Sequence, residues 1–492
     1  MSATSQSAPA PTSRARWLAM SILLVAGFMN LMDVTIVNVA LPSMQAAFSA
    51  TPEQIEWVVA VYILVFALCL IPGGRFGDIF GRRNVFIVGV VVFTVGSALC
   101  GLAPSIQSLV GARVVQGIGG ALMIPQTLAL VPAIFPPEER GAAFALFGLS
   151  AGLASVSGPL LGGVLIGADI WGLDWRPIFL VNIPVGIVAV ILAARFLPAV
   201  ERRRDLGIDW VGILLAGAAL LMVIFPLIEG RALGWPLWCF ALMAAALPMG
   251  WLFARWQRRQ AAAGRPELLP AALLANRTYL LGTVITALLF SGIPGFFLIM
   301  ALFLQDGFGF TPLESGLTTV PFSIGVLIAS GVAGRLGNRF LRLRITAGAW
   351  AMALGLAGLW GVMGLIEDVV VRSWFIAPLL LAGVGLGTSI SPLFNTVLTS
   401  VEGREAGSAS GALQAFQQVG GAFGVAVVGQ IFFSILEFGQ PVDTAARHAL
   451  FERAFSAGIG YPIAAFAILG AAVWLLPEPR ALTTREGSPA SG

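Results

Sequence analysis

Long apolar runs, each closed by a short polar segment, follow one another from residue 17 to residue 477. A helix needs about 20 apolar residues to cross the hydrocarbon core of a bilayer. Fourteen runs reach that length: 17–41, 54–73, 84–103, 107–132, 142–168, 176–198, 208–229, 236–256, 278–304, 313–333, 344–366, 373–399, 407–436 and 457–477. The pattern predicts an all-α integral membrane protein with fourteen transmembrane helices. The first sixteen residues are rich in Ser, Thr, Ala and Pro and are expected to be disordered. The run after them is too long for a signal-peptide core and reads as a retained first helix.

Composition excludes a soluble alternative. Only 11% of the residues are charged and 58% are hydrophobic, against about 25% charged in a soluble domain. A soluble fold of this size would have too little polar surface to cover itself. Cys69, Cys100 and Cys239 all lie within apolar runs and make neither a disulfide framework nor a metal site, and the one histidine, His448, sits in a polar loop.

Charge orients the helices. All 28 basic residues are arginine. With the N-terminus cytoplasmic, 22 fall in inner segments, five fall in outer ones (Arg176, Arg231, Arg372, Arg447 and Arg453), and Arg113 lies inside a helix. That asymmetry satisfies the positive-inside rule and checks the count, since one missed helix would invert every later loop. Both termini are expected in the cytoplasm, and the chain in the cytoplasmic (inner) membrane. The net charge of +4 does not imply nucleic acid, because the arginines are spread over short loops.

A shift of 260 residues lays Thr51-Pro52 on Thr311-Pro312 and Gly74-Arg75-Phe76-Gly77-Asp78 on Gly334-Arg335-Leu336-Gly337-Asn338. Helices one to six then repeat as nine to fourteen. The expected organisation is a cytoplasmic N-terminus (1–16), a six-helix half (17–200), two inserted helices with linkers (201–277), a second six-helix half (278–477) and a cytoplasmic tail (478–492). Parallel repeats with a midplane site between them suit alternating access.

Four segments carry candidate chemistry. After helix two, GGRFGDIFGRR (73–83) reads as a tight inner loop. Its glycines permit the turn, Asp78 can pair with Arg82 or cap a neighbouring helix, and Arg82 and Arg83 hold the loop inside. On helix four, Arg113, Gln116, Gly117, Gly120 and Ile124 share one face. An arginine there costs about 3 kcal/mol or more to insert unless paired or hydrated. On helix five, Gly158-Pro159 and Gly162-Gly163 suit close packing or a hinge. On helix one, Asp33 lies deep in the membrane with Asn30 and Val37 on its face. For Asp33 and Arg113, a functional charge and a structural brace are both open readings.

Together these segments resemble the fourteen-helix drug:proton antiporters of the major facilitator superfamily. The resemblance rests on residues 74–86, RVVQGIGGA at 113–121, GPLLGG at 158–163, LMDVTIVNVALP at 31–42 and WRPIFLVNIPVG at 175–186. The chain departs from that branch at Pro177, where a large apolar residue is more usual, and at Gln417, where arginine is frequent. The resemblance implies a major facilitator fold and proton-coupled export of amphiphilic drugs, dyes, antibiotics or natural products. It implies proton coupling at Asp33 and Arg113 and a conformational-switch loop at Gly74, Asp78, Gly81, Arg82 and Arg83. The expected cavity is apolar, with Asn30, Gln116, Gln126, Asn182, Asn395, Gln414, Gln417 and Gln418 as candidate polar contacts. No enzymatic activity, cofactor or metal is expected; the drive is the proton gradient. Expected partners are the small-molecule substrate, protons and the bilayer, and the sequence carries no sign either way of a periplasmic adaptor. The alternative is a proton-coupled importer or a passive facilitator of a small organic solute.

Overall fold

A computed structural model describes residues 13–199, 207–231, 233–336, 340–366, 370–437 and 444–476. Residues 1–12, Arg202, Arg203, Arg204, Gly337, Asn338, Arg339, Arg480, Arg485 and the tail from 478 lie outside these.

Among the described residues, fourteen long helices follow one another: α1 Ser13–Phe48, α2 Pro52–Phe80, α3 Arg82–Gly101, α4 Ile106–Ile134, α5 Pro137–Gly167, α6 Pro177–Phe196, α7 Trp210–Glu229, α8 Leu237–Ala262, α9 Arg277–Leu302, α10 Pro312–Leu336, α11 Leu341–Met363, α12 Ser373–Thr399, α13 Ala406–Glu437 and α14 Thr444–Ala472. Among the described residues, thirteen helices long and apolar enough, by length and composition, to cross a membrane are recognised. α5, 31 residues long, packs among them against α1, α10 and α12. Large apolar side chains such as Leu214, Leu237 and Leu247 stand exposed on the outer surface, which in a bilayer is contact with lipid.

The helices run beyond the apolar spans. α1 begins at Ser13, so residues 13–16, expected to be disordered, are helical, and Arg16 pairs with Glu139 at 2.8 Å. α14 starts thirteen residues before the apolar run at 457. Hydropathy marks where the hydrocarbon lies, whereas backbone hydrogen bonding continues into water wherever no breaker stops it.

Packing repeats between the halves. α1 meets α5 as α9 meets α13, α3 meets α4 as α11 meets α12, and α3 meets α6 as α11 meets α14. The halves join along α2 with α13 and along α5 with α10. The inserted pair α7 and α8 pack on each other, and among the described residues α7 meets the halves mainly at α2 and α13. There Phe225 lies between Trp57 of α2, at 6.4 Å, and Trp238 of α8, at 6.1 Å. Trp235 donates its indole N–H to Gln430 of α13 at 2.7 Å, and the Arg231 guanidinium covers Phe433 at 4.1 Å. The insert therefore touches both halves. At its other end, Asp209 caps α7 through the Gly212 N–H and accepts from Trp256 and Gln257.

Candidate functional site: a buried ion pair and an inter-half latch

Asp33 and Arg113 meet. Asp33 is wholly enclosed and Arg113 is 1% exposed. Arg113 Nη1 donates to Asp33 Oδ2 at 2.5 Å and to Gln116 Oε1 at 2.6 Å, while Nε donates to the Val58 carbonyl at 3.0 Å. The other carboxylate oxygen accepts from Gln116 Nε2 at 2.7 Å and Asn182 Nδ2 at 3.2 Å. Both amides also donate to Ser97 Oγ. The Tyr62 ring lies 4.1 Å from the guanidinium carbon, with Phe179 at 5.8 Å on α6. Asn30 donates to the Tyr62 hydroxyl. A buried charge pair is tolerable only when its remaining donors and acceptors are satisfied, and this network supplies that satisfaction.

The helical periods explain the convergence. Asn30 and Asp33 are three apart on α1, Val58 and Tyr62 four apart on α2, and Arg113 and Gln116 three apart on α4, so each pair shares a face. α3 adds Ser97 and Cys100, whose thiol lies 3.7 Å from Gln116 Oε1. Every partner belongs to α1, α2, α3, α4 or α6, so the ion pair sits inside the first half rather than between the halves.

Three of the candidate cavity residues, Asn30, Gln116 and Asn182, thus gather around the ion pair. Gln126 lies elsewhere, at the α2–α4 contact, where it donates to the Gly73 carbonyl at 2.8 Å and fills the space that a side chain at Gly77 would need. Asn395 on α12 and Gln414 and Gln417 on α13 are buried in the second half, and Gln418 is half-buried. Sequence reasoning missed Tyr62, Phe179, Ser97, Cys100 and the Val58 carbonyl. The one available signal was Tyr62, a hydroxyl in an apolar run of a chain with three tyrosines.

The glycine-rich segment differs from the expected loop. α2 continues helically to Phe80, and only Gly81, at φ 91°, turns the chain before α3 begins at Arg82. A side chain is strained at that φ. The other glycines serve close approach. A Cβ on Gly73 would strike the Ala121 backbone of α4, and one on Gly74 the Gly407 backbone of α13. Asp78 does both things foreseen for it. It pairs with Arg82 at 3.2 Å and caps α13, accepting from Gly407 N at 3.0 Å, Ser408 N at 2.8 Å and Ser408 Oγ at 2.8 Å. Arg82 also donates to Ala129 O of α4 and, at 2.6 Å, to Gly403 O beyond α12. Arg83 donates to the Ala194 carbonyl of α6.

Further bonds draw the halves together at the same end. Ser410 Oγ donates to Pro125 O at 2.7 Å, Ser391 Oγ to Gly141 O at 2.8 Å, and Phe144 meets Phe394 edge-on. This end of the molecule is closed. On α5 the helix is continuous through residues 158–163. Gly158 and Gly162 abut Thr35 and Ile36 of α1, and Gly163 faces open space. The Pro159 side chain lies outside the described residues.

Comparison with known proteins places this architecture. A probable actinorhodin transporter of Streptomyces coelicolor is 39% identical over 450 residues, covering 91% of this chain and 78% of the relative. A tetracenomycin C resistance and export protein of Streptomyces glaucescens is 33% identical, covering 87% and 78%. The solved structure of the proton:xylose symporter XylE superposes with a TM-score of 0.65 at 15% identity, covering 95% of this chain and 97% of that one, a likeness of fold. The sequence profile of the Major Facilitator Superfamily matches residues 23–425, and the chain belongs to that family.

Proposed function

We propose that this multi-pass membrane protein exports small amphiphilic molecules, such as drugs, dyes, antibiotics or natural products, across the cytoplasmic membrane in exchange for protons. The observation that carries the reading is the enclosed Asp33–Arg113 pair, in a chain whose relatives bear the names of resistance and export proteins. A carboxylate held by one arginine inside a membrane has two states of different net charge. Neutralising it leaves Arg113 without its counter-ion and changes what holds α1 against α4. Such a group links proton binding to helix packing, and a passive facilitator needs none.

Energy supply is sufficient. One proton crossing 100 mV releases about 2.3 kcal/mol, and each unit of pH gradient adds about 1.4 kcal/mol. In this reading the closed end, where Asp78 of α2 caps α13, faces the cytoplasm, and both termini lie on that side. Loading and release alternate as the latch opens and closes. No cofactor takes part, and no enzymatic step is proposed. The test is dye flux in inverted membrane vesicles under an imposed pH gradient. Acid-inside vesicles should accumulate a transported dye, and collapse of the gradient should stop accumulation. Flux indifferent to the gradient would refute proton exchange.

A further inference from the structure

α8 has two unlike faces. Its buried residues, Cys239, Ala246 and Gln257, fall on one line at helical spacing and turn toward the rest of the molecule. The opposite face carries Leu237, Leu247 and Trp251, which are 86%, 78% and 62% exposed, and then the exposed Arg255, Arg258 and Arg259. At 3.6 residues per turn all of these lie within about 80° of Arg255. At 1.5 Å per residue Arg255 stands about 27 Å along the axis from Leu237, against a hydrocarbon core about 30 Å thick. The apolar part of the stripe therefore touches acyl chains, and the guanidinium groups stand at headgroup depth. Trp251, of the residue type enriched at that boundary, lies under Arg255, whose guanidinium carbon is 5.4 Å from its ring centre.

These arginines lack a protein counter-charge. Among the described residues, the two carboxylates at this end of the insert and its linker are engaged elsewhere. Asp209 accepts from Gly212 N, Trp256 and Gln257, and Glu267 accepts from the Ala271 N–H. No ion pair among the described residues involves Arg255, Arg258, Arg259 or Arg265. The linker does not cover the stripe either. Gln257 Oε1 accepts from Leu268 N and Leu269 N, which pins the linker to the buried side of α8. Gly264, at φ 62°, turns the chain so that Arg265 N bonds to Gln260 O of the last turn, which adds a fourth charge at this end. We propose that this stripe of α8 binds an anionic phospholipid, with the phosphate held by Arg255, Arg258 and Arg259 and an acyl chain lying along Trp251 and Leu247. Guanidinium groups match phosphate oxygens in geometry and charge. A zwitterionic headgroup brings an ammonium that the same arginines repel, and a soluble anion gains nothing from the apolar part. The inference needs only that α8 lies in a bilayer, and it stands whether or not the chain exports anything.

The test uses the full chain in lipid nanodiscs, with Cys69, Cys100 and Cys239 replaced by alanine and a fluorophore on Leu247→Cys. A control carries the fluorophore on Leu354→Cys of α11, a position 60% exposed. Quenching is compared when a minor fraction of a phosphatidylcholine bilayer is replaced by phosphatidylglycerol or by phosphatidylcholine with the same brominated acyl chains. Before salt screening, each arginine near an anionic surface is worth about fivefold. Brominated phosphatidylglycerol should thus be enriched about tenfold or more at 247 in low salt, and should show no preference at 354. Glutamine at Arg255, Arg258 and Arg259 together should abolish the enrichment. Should that triple variant fail to fold, Arg255→Gln, Arg258→Gln and Arg259→Gln singly should each lower it about twofold or more. Equal quenching by the two lipids, enrichment that survives loss of the arginines, or displacement by inorganic phosphate overturns the proposal. Equal enrichment at 354 does the same, since the whole surface would then attract the lipid.

Discussion

Asp78→Asn is expected to release the latch between the halves without unfolding either of them. The carboxylate accepts two backbone N–H bonds and one hydroxyl bond at the start of α13, and a fourth bond from Arg82. Its side chain is fully buried. Asparagine keeps one oxygen but turns an NH2 group toward donors, so at least one cap bond becomes a clash of donors. The charge that complements the α13 N-terminus is also lost. Hydrogen bonds to a charged group are worth about 1.5–3 kcal/mol. Because the opened latch lets water solvate Asp78, a net loss of about 2–3 kcal/mol is reasonable, which shifts the closed-to-open ratio roughly 30- to 150-fold. The assay is a distance distribution between spin labels at Phe80→Cys and Thr399→Cys, after replacing Cys69, Cys100 and Cys239 by alanine. Both label sites are exposed at the latched end. Wild type should give one short population, and Asp78→Asn a dominant longer one. An unchanged distribution in a well-expressed Asp78→Asn protein would refute the latch.

Three further outcomes are expected. Asp33→Asn should abolish gradient-driven export while leaving protein in the membrane and dye binding measurable; export at the wild-type rate would make the ion pair purely structural. Cysteines introduced at residues 169 and 306 should react with an impermeant thiol reagent from outside and one at 203 should not; outside labelling at 203 would break the fourteen-helix topology. Neutral or monocationic amphiphiles should be exported in preference to rigid dications of similar size, because Asp33 is already engaged by Arg113 and Glu314 is held at the surface by Arg372 at 2.9 Å. Desolvating a second cation without a partner costs several kcal/mol, so resistance measured in a pump-deficient host should separate the two classes. Equal protection against the dication would mean that another carboxylate reaches the substrate.

The fourteen spans were legible because a bilayer makes length and apolarity nearly sufficient. The ends were less so: α1 and α14 extend where polar residues carry on a helix that hydropathy alone would stop. The segment 73–80 was misread as a loop because its glycines resemble turn residues; in the structure they are flat spots on α2 that admit α4 and α13. Spacing along one helix correctly set Asn30 beside Asp33 and Gln116 beside Arg113. It could not say which helices would face one another. Asn182, 149 positions from Asp33, joined the pair only through the packing of α6 on α1. Tyr62 escaped notice because an aromatic residue in an apolar run usually marks nothing but packing.

The confinement of the ion pair to α1, α2, α3, α4 and α6 has an evolutionary consequence. In the reading proposed above, the machinery that handles protons occupies one set of helices. Asn395, Gln414 and Gln417 lie on α12 and α13, away from every bond that holds Asp33. If these residues line the substrate path, as the proposed function has it, substitutions there reshape what is recognised while the proposed energy-converting part stays intact. A lineage of such pumps can therefore explore new cargoes cheaply, one residue at a time, with each intermediate still powered.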